Sequence, residues 1–332
     1  MFLIAVPVLI PLLVCAPLLV PESRDPKPGR IDPISILLSM AAMIPVVYAI
    51  KSLAVDGPSL SAVAWAVLGI AMGALFVRRQ LRAEIPMLDM ALFRRGSFSG
   101  AILVNLLSVV ALVGFLYFVS QHLQLVLGLS PMIAGTALVP GMAAMIVAGL
   151  SVVPISRRVP PHVLVPSALV FSVAGYLLVA FSTADHGVAP LIVAFVVLGI
   201  GIGAAETISN ELILSSAPAA KAGAASAVSE TAYELGAVLG TAVLGGLITA
   251  FYRGALTLPD GLPAEVADAA RETLAGAYTA AHELPAALGD ALWEAATAAF
   301  GSGVVVTSII GAALVVLAGV IAAVTLRKAP SH

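Results

Sequence analysis

The chain has 332 residues, 61% of them hydrophobic and 10% charged, with a mean hydropathy of +1.10 and a formal net charge of -2. Soluble domains carry about 25% charged residues, so this composition excludes a water-facing globular surface. No basic block or zinc-ligand spacing points to nucleic acid, and Cys15, the only cysteine, leaves no internal disulfide.

A bilayer core of roughly 30 Å needs about 20 apolar residues per helix. Stretches of that kind recur at 2–20, 34–54, 60–77, 98–120, 133–155, 162–182, 188–214, 222–251 and 301–326. The fold class expected is an all-α polytopic membrane protein with nine transmembrane helices. The first stretch has no basic leader and no small-residue cleavage pattern, so it reads as a span rather than a signal peptide.

The connections alternate in character. Arg24, Lys27 and Arg30 follow the first stretch, and Arg78, Arg79, Arg82, Arg94 and Arg95 lie between the third and fourth. Arg157, Arg158, Lys221, Arg327 and Lys328 complete thirteen of the 16 Lys and Arg residues on one side, against Lys51, Arg253 and Arg271 on the other. Cytoplasmic loops are enriched in Lys and Arg, which predicts the amino terminus outside and the carboxyl terminus in the cytoplasm of the plasma (inner) membrane. Residues 252–300 then form an external loop of Ala-rich, acidic composition, with short surface helices interrupted by Pro263 and Pro285. Pro45 and Pro140 are expected to bend their helices.

Several local patterns carry a resemblance. They are Met1-Phe-Leu-Ile-Ala-Val-Pro-Val with Val20-Pro-Glu-Ser-Arg-Asp25, and Pro86-Met-Leu-Asp-Met-Ala-Leu-Phe93. They continue with Gln124-Leu-Val-Leu-Gly-Leu-Ser-Pro-Met-Ile-Ala-Gly135 followed by Leu138-Val-Pro140, and with Ala222 to Gly240 around Glu234-Leu-Gly236. In this order they resemble the later part of the fourteen-helix drug:proton antiporter branch of the major facilitator superfamily, which includes quaternary-ammonium exporters. The resemblance implies that the nine spans correspond to family helices six to fourteen. Residues 1–20 would be the last helix of an otherwise missing N-terminal bundle, 21–95 two linker helices with basic loops, and 96–332 a C-terminal six-helix bundle. It also implies that the chain belongs to a longer protein, since the family's signature loop and antiporter motif would lie before Met1. Ser156-Arg-Arg158 is a degenerate echo of that loop.

The function implied is proton-coupled efflux of amphipathic or cationic drug-like compounds by alternating access, with the lipid bilayer, protons and a small amphipathic substrate as partners. The alternative is a truncated or split half with a structural role and no transport of its own. No acid occurs in span 133–155, where some cation exporters carry one, which weakens an assignment to dicationic substrates. His-Glu-x-x-His, nucleophile-elbow and paired-ligand patterns are absent from the spans, so neither an enzyme nor a cofactor is expected.

Intramembrane acids are costly and mark function by default. Glu230 and Glu234, four residues apart in span 222–251, share one helix face. Like charges there repel, and both are penalised by desolvation, the condition under which a carboxyl group exchanges a proton as its exposure changes. Glu234 alternatively bonds Tyr or Ser groups on neighbouring helices, and Tyr233 is expected to pack against a neighbour. Glu206 and Asn210 share a face after Gly199-Ile-Gly-Ile-Gly203, where small residues permit close helix approach. Asn105 is a single neutral polar residue in its span, facing substrate or a neighbouring helix. Gln121, His122 and Gln124 suggest a hydrated outer end.

Overall fold

The computed structural model describes residues 6–19, 32–57, 59–83, 86–182, 187–218 and 221–328. The polar loop 22–30 and the ends of the first expected span lie outside them. Every regular element among the described residues is helical. Eight helices are long and apolar enough to cross a membrane, whereas the first expected span contributes a described helix of 14 residues, α1 (Val6–Leu19).

Sequence-local chemistry sets the starts. In α2 (Pro33–Asp56), Asp32 caps the first turn by accepting from the Ser35 amide at 3.3 Å, and Pro33 occupies the position where a missing N–H costs nothing. In α3 (Leu60–Arg82), Ser59 accepts from the Ala62 amide at 3.2 Å. After α4 (Gly96–Gln121), a π turn at His122–Val126 and Gly128, at φ 64°, redirect the chain into α5 (Pro131–Ser156). Ser130 and Pro131 start α5 as Asp32 and Pro33 start α2. Pro45 and Pro140 lie within continuous helices. There follow α6 (Pro161–Ser182), α7 (Val188–Ser215) and α8 (Ala222–Leu239), which passes through a second π turn at Gly240–Leu244 into α9 (Gly245–Ala255).

The segment expected to be an external loop, 252–300, is largely helical. Short helices α10 (Ala264–Glu272) and α11 (Leu274–Glu283) form, and Pro263 and Pro285 stand at helix starts as anticipated. The segment after Pro285 is not loop, however: α12 runs unbroken from Ala286 to Thr325. At 1.5 Å per residue its 40 residues span roughly 60 Å, about twice the hydrocarbon thickness. Ala296, Ala299 and Phe300 of its first half are buried, and His122 stacks on Phe300 with ring centroids 6.3 Å apart. The polar cluster at the Gln121 end of α4 is therefore partly packed: Gln124 donates to the Ser120 hydroxyl at 2.8 Å.

Helix α7 lies at the centre, against α4, α5, α6 and α8, while α12 closes the ring against α4, α6 and α9. The glycine run makes this possible. A Cβ at Gly203 would lie 2.2 Å from the Met145 carbonyl oxygen of α5, and one at Gly199 2.7 Å from the Gly141 oxygen. On the other side, a Cβ at Gly201 would lie 2.5 Å from the Ala168 oxygen of α6. Gly236 and Gly240 do the same for α8, whose backbone comes against the Leu106 and Val110 carbonyls of α4. Phe115 stacks on Phe195 at 5.4 Å and meets Tyr176 edge-on, and the Tyr176 hydroxyl donates to the Ala111 carbonyl.

Helices α2 and α3 pair along their lengths and flank the bundle beside α8 and α9. Arg79 forks onto both oxygens of Asp32 at 2.8 and 2.9 Å, Gln80 donates to Ser35 at 2.7 Å, and the Leu88 amide donates to Gln80 at 3.1 Å. The pair is thus tied to the segment that leads into α4. Large apolar side chains such as Leu37, Ile44, Ile70 and Leu81 are exposed, as a lipid-facing surface requires.

Two expectations follow. Gly203→Val should destabilise the bundle by about 1–3 kcal/mol through overpacking, read as a lower thermal unfolding midpoint in detergent. Gly135→Ala, with nothing within 4 Å of the added Cβ, should leave that midpoint unchanged. The Arg79 guanidinium and the Ser35 hydroxyl hold the Asp32 carboxyl well below the usual carboxylate range. A depressed folded value contributes stability that is complete above the ordinary range near ~4 and is lost only as pH falls well beneath it. Asp32→Asn should therefore lower the midpoint by the same amount at every pH between about 5 and 8, and should match wild type only in strong acid.

Candidate functional site

The polar residues of the membrane region converge where α4, α7 and α8 meet. The Asn105 amide donates to the Ser229 hydroxyl at 3.3 Å, and Ser229 donates to the Asn210 Oδ1 at 2.9 Å. One hydroxyl on α8 thereby bridges two amides on two other helices. Asn105 and Ser229 are buried, and Asn210 is exposed at the margin. Interhelical hydrogen bonds within membranes contribute about 0.6 kcal/mol on average, so the chain orients more than it stabilises.

Around it lie polar atoms buried without a hydrogen-bond partner among the described residues: Asn105 Oδ1, Ser108 Oγ, Glu206 Oε1 and Ser209 Oγ. All four belong to α4 or α7. An unsatisfied buried polar atom costs about 1–3 kcal/mol, an expense that proteins carry mainly at working sites.

The candidate residues do not all come together. Asn105 and Asn210 are joined through Ser229. Glu206, one turn before Asn210 on α7, is half-buried, while Asn210 turns to Ser229 rather than to Glu206. Glu230 and Glu234 are exposed, because α8 turns Ser229, Ala232 and Gly236 into the bundle and leaves the acids on its open face. Tyr233 is also exposed, at 40%, contrary to the packed position expected for it.

Sequence reasoning missed Ser229, Ser108 and Ser209. The available signal was a serine immediately before an intramembrane acid and another one turn after Asn105. It also missed a role for Arg95, which donates to the Ser216 carbonyl at 2.8 Å and ties the start of α4 to the end of α7. A cavity of about 900 Å³ lies elsewhere, between the α2–α3 pair and α4–α8. Its lining includes Met43, Phe76, Ile102, Val228 and Lys221 and none of the candidate acids. No cluster of three or more His, Cys, Asp or Glu side chains suited to a metal occurs among the described residues.

Membrane-length helices packed closely at glycines define a multi-pass helical membrane protein. The family model of the Major Facilitator Superfamily matches residues 1–241, and the chain belongs to that superfamily. It is 51% identical over 327 residues to the multidrug efflux pump LfrA of Mycolicibacterium smegmatis, covering 98% of this chain and 65% of that protein. It is 32% identical over 282 residues to the methyl viologen resistance protein SmvA of Salmonella typhimurium, covering 83% of this chain and 56% of the relative. The tetracenomycin C resistance and export protein of Streptomyces glaucescens is 33% identical over 252 residues, 74% of this chain and 46% of its own length. The chain thus spans between about half and two thirds of these relatives.

Ser229→Ala should separate the two amides and lower stability by about 1 kcal/mol. Ser229→Thr, which keeps the hydroxyl, should stay close to wild type in the same thermal unfolding assay.

Proposed function

We propose that the chain carries the substrate- and proton-handling helices of an efflux transporter for amphipathic or cationic drug-like compounds. The observation that carries this reading is a half-buried acid, Glu206, one turn from Asn210 of the Asn105–Ser229–Asn210 chain, with Glu230 and Glu234 on the open face of the adjoining α8. The printed names of the relatives, a multidrug efflux pump and two resistance proteins, support the same class of work. In this reading Glu206, half-buried with one carboxylate oxygen unpartnered, is the proton-exchanging group. Glu230 and Glu234, on the open face of α8, meet a cationic or amphipathic compound as it passes. The Asn105–Ser229–Asn210 chain holds α4, α7 and α8 in the register that keeps those acids together.

Proton coupling then follows from competition. A cationic compound held at Glu230 and Glu234 disfavours the proton on Glu206, so binding of one releases the other. Alternating access requires the open face of α8 to work against a second helical bundle, with α2 and α3 as linker helices between the two. We further propose that the cation-rich loops face the cytoplasm of the plasma membrane. A second reading, one half of a split transporter inactive by itself, draws on the exposure of Glu230 and Glu234. Co-purification with a separately encoded helical partner would favour it.

The test is efflux of a fluorescent cationic dye from cells across a range of external pH. Glu206→Gln should lower the rate by at least about tenfold, in line with loss of an acid–base group, and flatten its pH dependence. Glu230→Gln and Glu234→Gln should chiefly raise the dye concentration required. If all three variants keep wild-type rates and pH dependence, the carboxylate role is wrong.

A further inference from the structure

A groove of about 590 Å³ lies between Lys51 of α2 and the bundle, lined by α4, the end of α8, the second π turn and α9. The floor is made of small residues, among them Ala237, Ala242, Gly245 and Gly246, on the segment that includes the π turn Gly240–Leu244. Tyr117 of α4 forms a wall, so close to α9 that a Cβ on Gly245 would come within 3.0 Å of its ring.

Two cations line this groove, Lys51 from α2 and Arg253 from α9, and among the described residues no acidic side chain does. They are two of the three cations expected at this end of the helices. The third, Arg271, lies 3.9 Å from Asp268. Arg253 donates to the Glu272 carbonyl oxygen at 3.3–3.4 Å, which positions the guanidinium without cancelling its charge. An apolar trough open toward the lipid thus ends under two positive charges supplied from opposite sides of the groove.

We propose that this groove binds one anionic phospholipid of the adjacent leaflet, the outer one by the cation asymmetry. Its phosphate sits between Lys51 and Arg253, and one acyl chain lies along the small-residue floor. The two cations belong to different helical bodies, so the bound lipid joins the α2–α3 pair to the bundle. A zwitterionic lipid is a poorer occupant, because its own cation is repelled by the same pair of charges. A free phosphate is poorer too, since it leaves the apolar floor uncovered. The proposal requires only that the helices span a bilayer and stands apart from the efflux reading.

Native mass spectrometry of the whole chain in mild detergent, titrated with phosphatidylglycerol or phosphatidylcholine, tests it. One phosphatidylglycerol should be retained in preference to phosphatidylcholine. Lys51→Gln and Arg253→Gln should each weaken retention by roughly fivefold, and the double variant by about thirtyfold. Lys51→Arg, Arg253→Lys and Arg271→Gln should change it little. Equal retention of the two lipids, indifference to both single substitutions, or displacement by equimolar glycerol phosphate would overturn the proposal. Because both side chains are exposed, the single variants should fold normally, which their thermal unfolding midpoints can verify.

Discussion

The contact between α7 and its neighbours, made by glycine, is what the rest of the structure depends on. In hydrocarbon, helices gain nothing by hiding apolar surface from one another, because lipid tails are equally apolar. Association then relies on close packing, and Gly199, Gly201 and Gly203 let the backbones of α5 and α6 approach nearer than any side chain would allow. The same device, with Gly236 and Gly240, brings α8 onto α4. Glu206 follows Gly203 by less than one turn, so a close helix contact is also where an acid is held half-buried.

That arrangement explains why the polar junction is built from short side chains. Where backbones lie so close, a serine hydroxyl can reach across, and Ser229 connects Asn105 and Asn210 without displacing a helix. Larger polar groups are pushed to the margin, which is where Glu230, Tyr233 and Glu234 are found. The apolar surfaces of α2 and α3 serve a separate purpose. They are held to each other at one end by the Arg79–Asp32 fork and Gln80, leaving a seam beside α8 and α9 along which both larger cavities lie.

Much of the fold was legible because membrane constraints write themselves into composition. Apolar length marked the spans, and the glycine run marked a close contact. What stayed hidden has physical reasons. The early start of α12 was masked by Asp290 and Glu294, which read as loop although an Ala-rich helix can extend past the bilayer with its acids in water. The π turns at 122–126 and 240–244 arise from packing and leave no compositional trace. The site was half legible: the acids and amides stood out as polar residues in apolar runs. Which way α8 turns was not, since Ser229 and Glu230 are adjacent and only the position of Gly236 against α4 decides which of them points inward.

The central claim, that acids at the α7–α8 junction exchange protons for substrate, is tested most directly by proton movement itself. The protein would be reconstituted in vesicles with a pH-sensitive dye inside, and a cationic substrate added without any imposed pH gradient. The account predicts a proton flux opposite to the substrate, abolished by Glu206→Gln while substrate binding persists. Substrate transport with no accompanying proton flux, or a flux unchanged by that substitution, would contradict it.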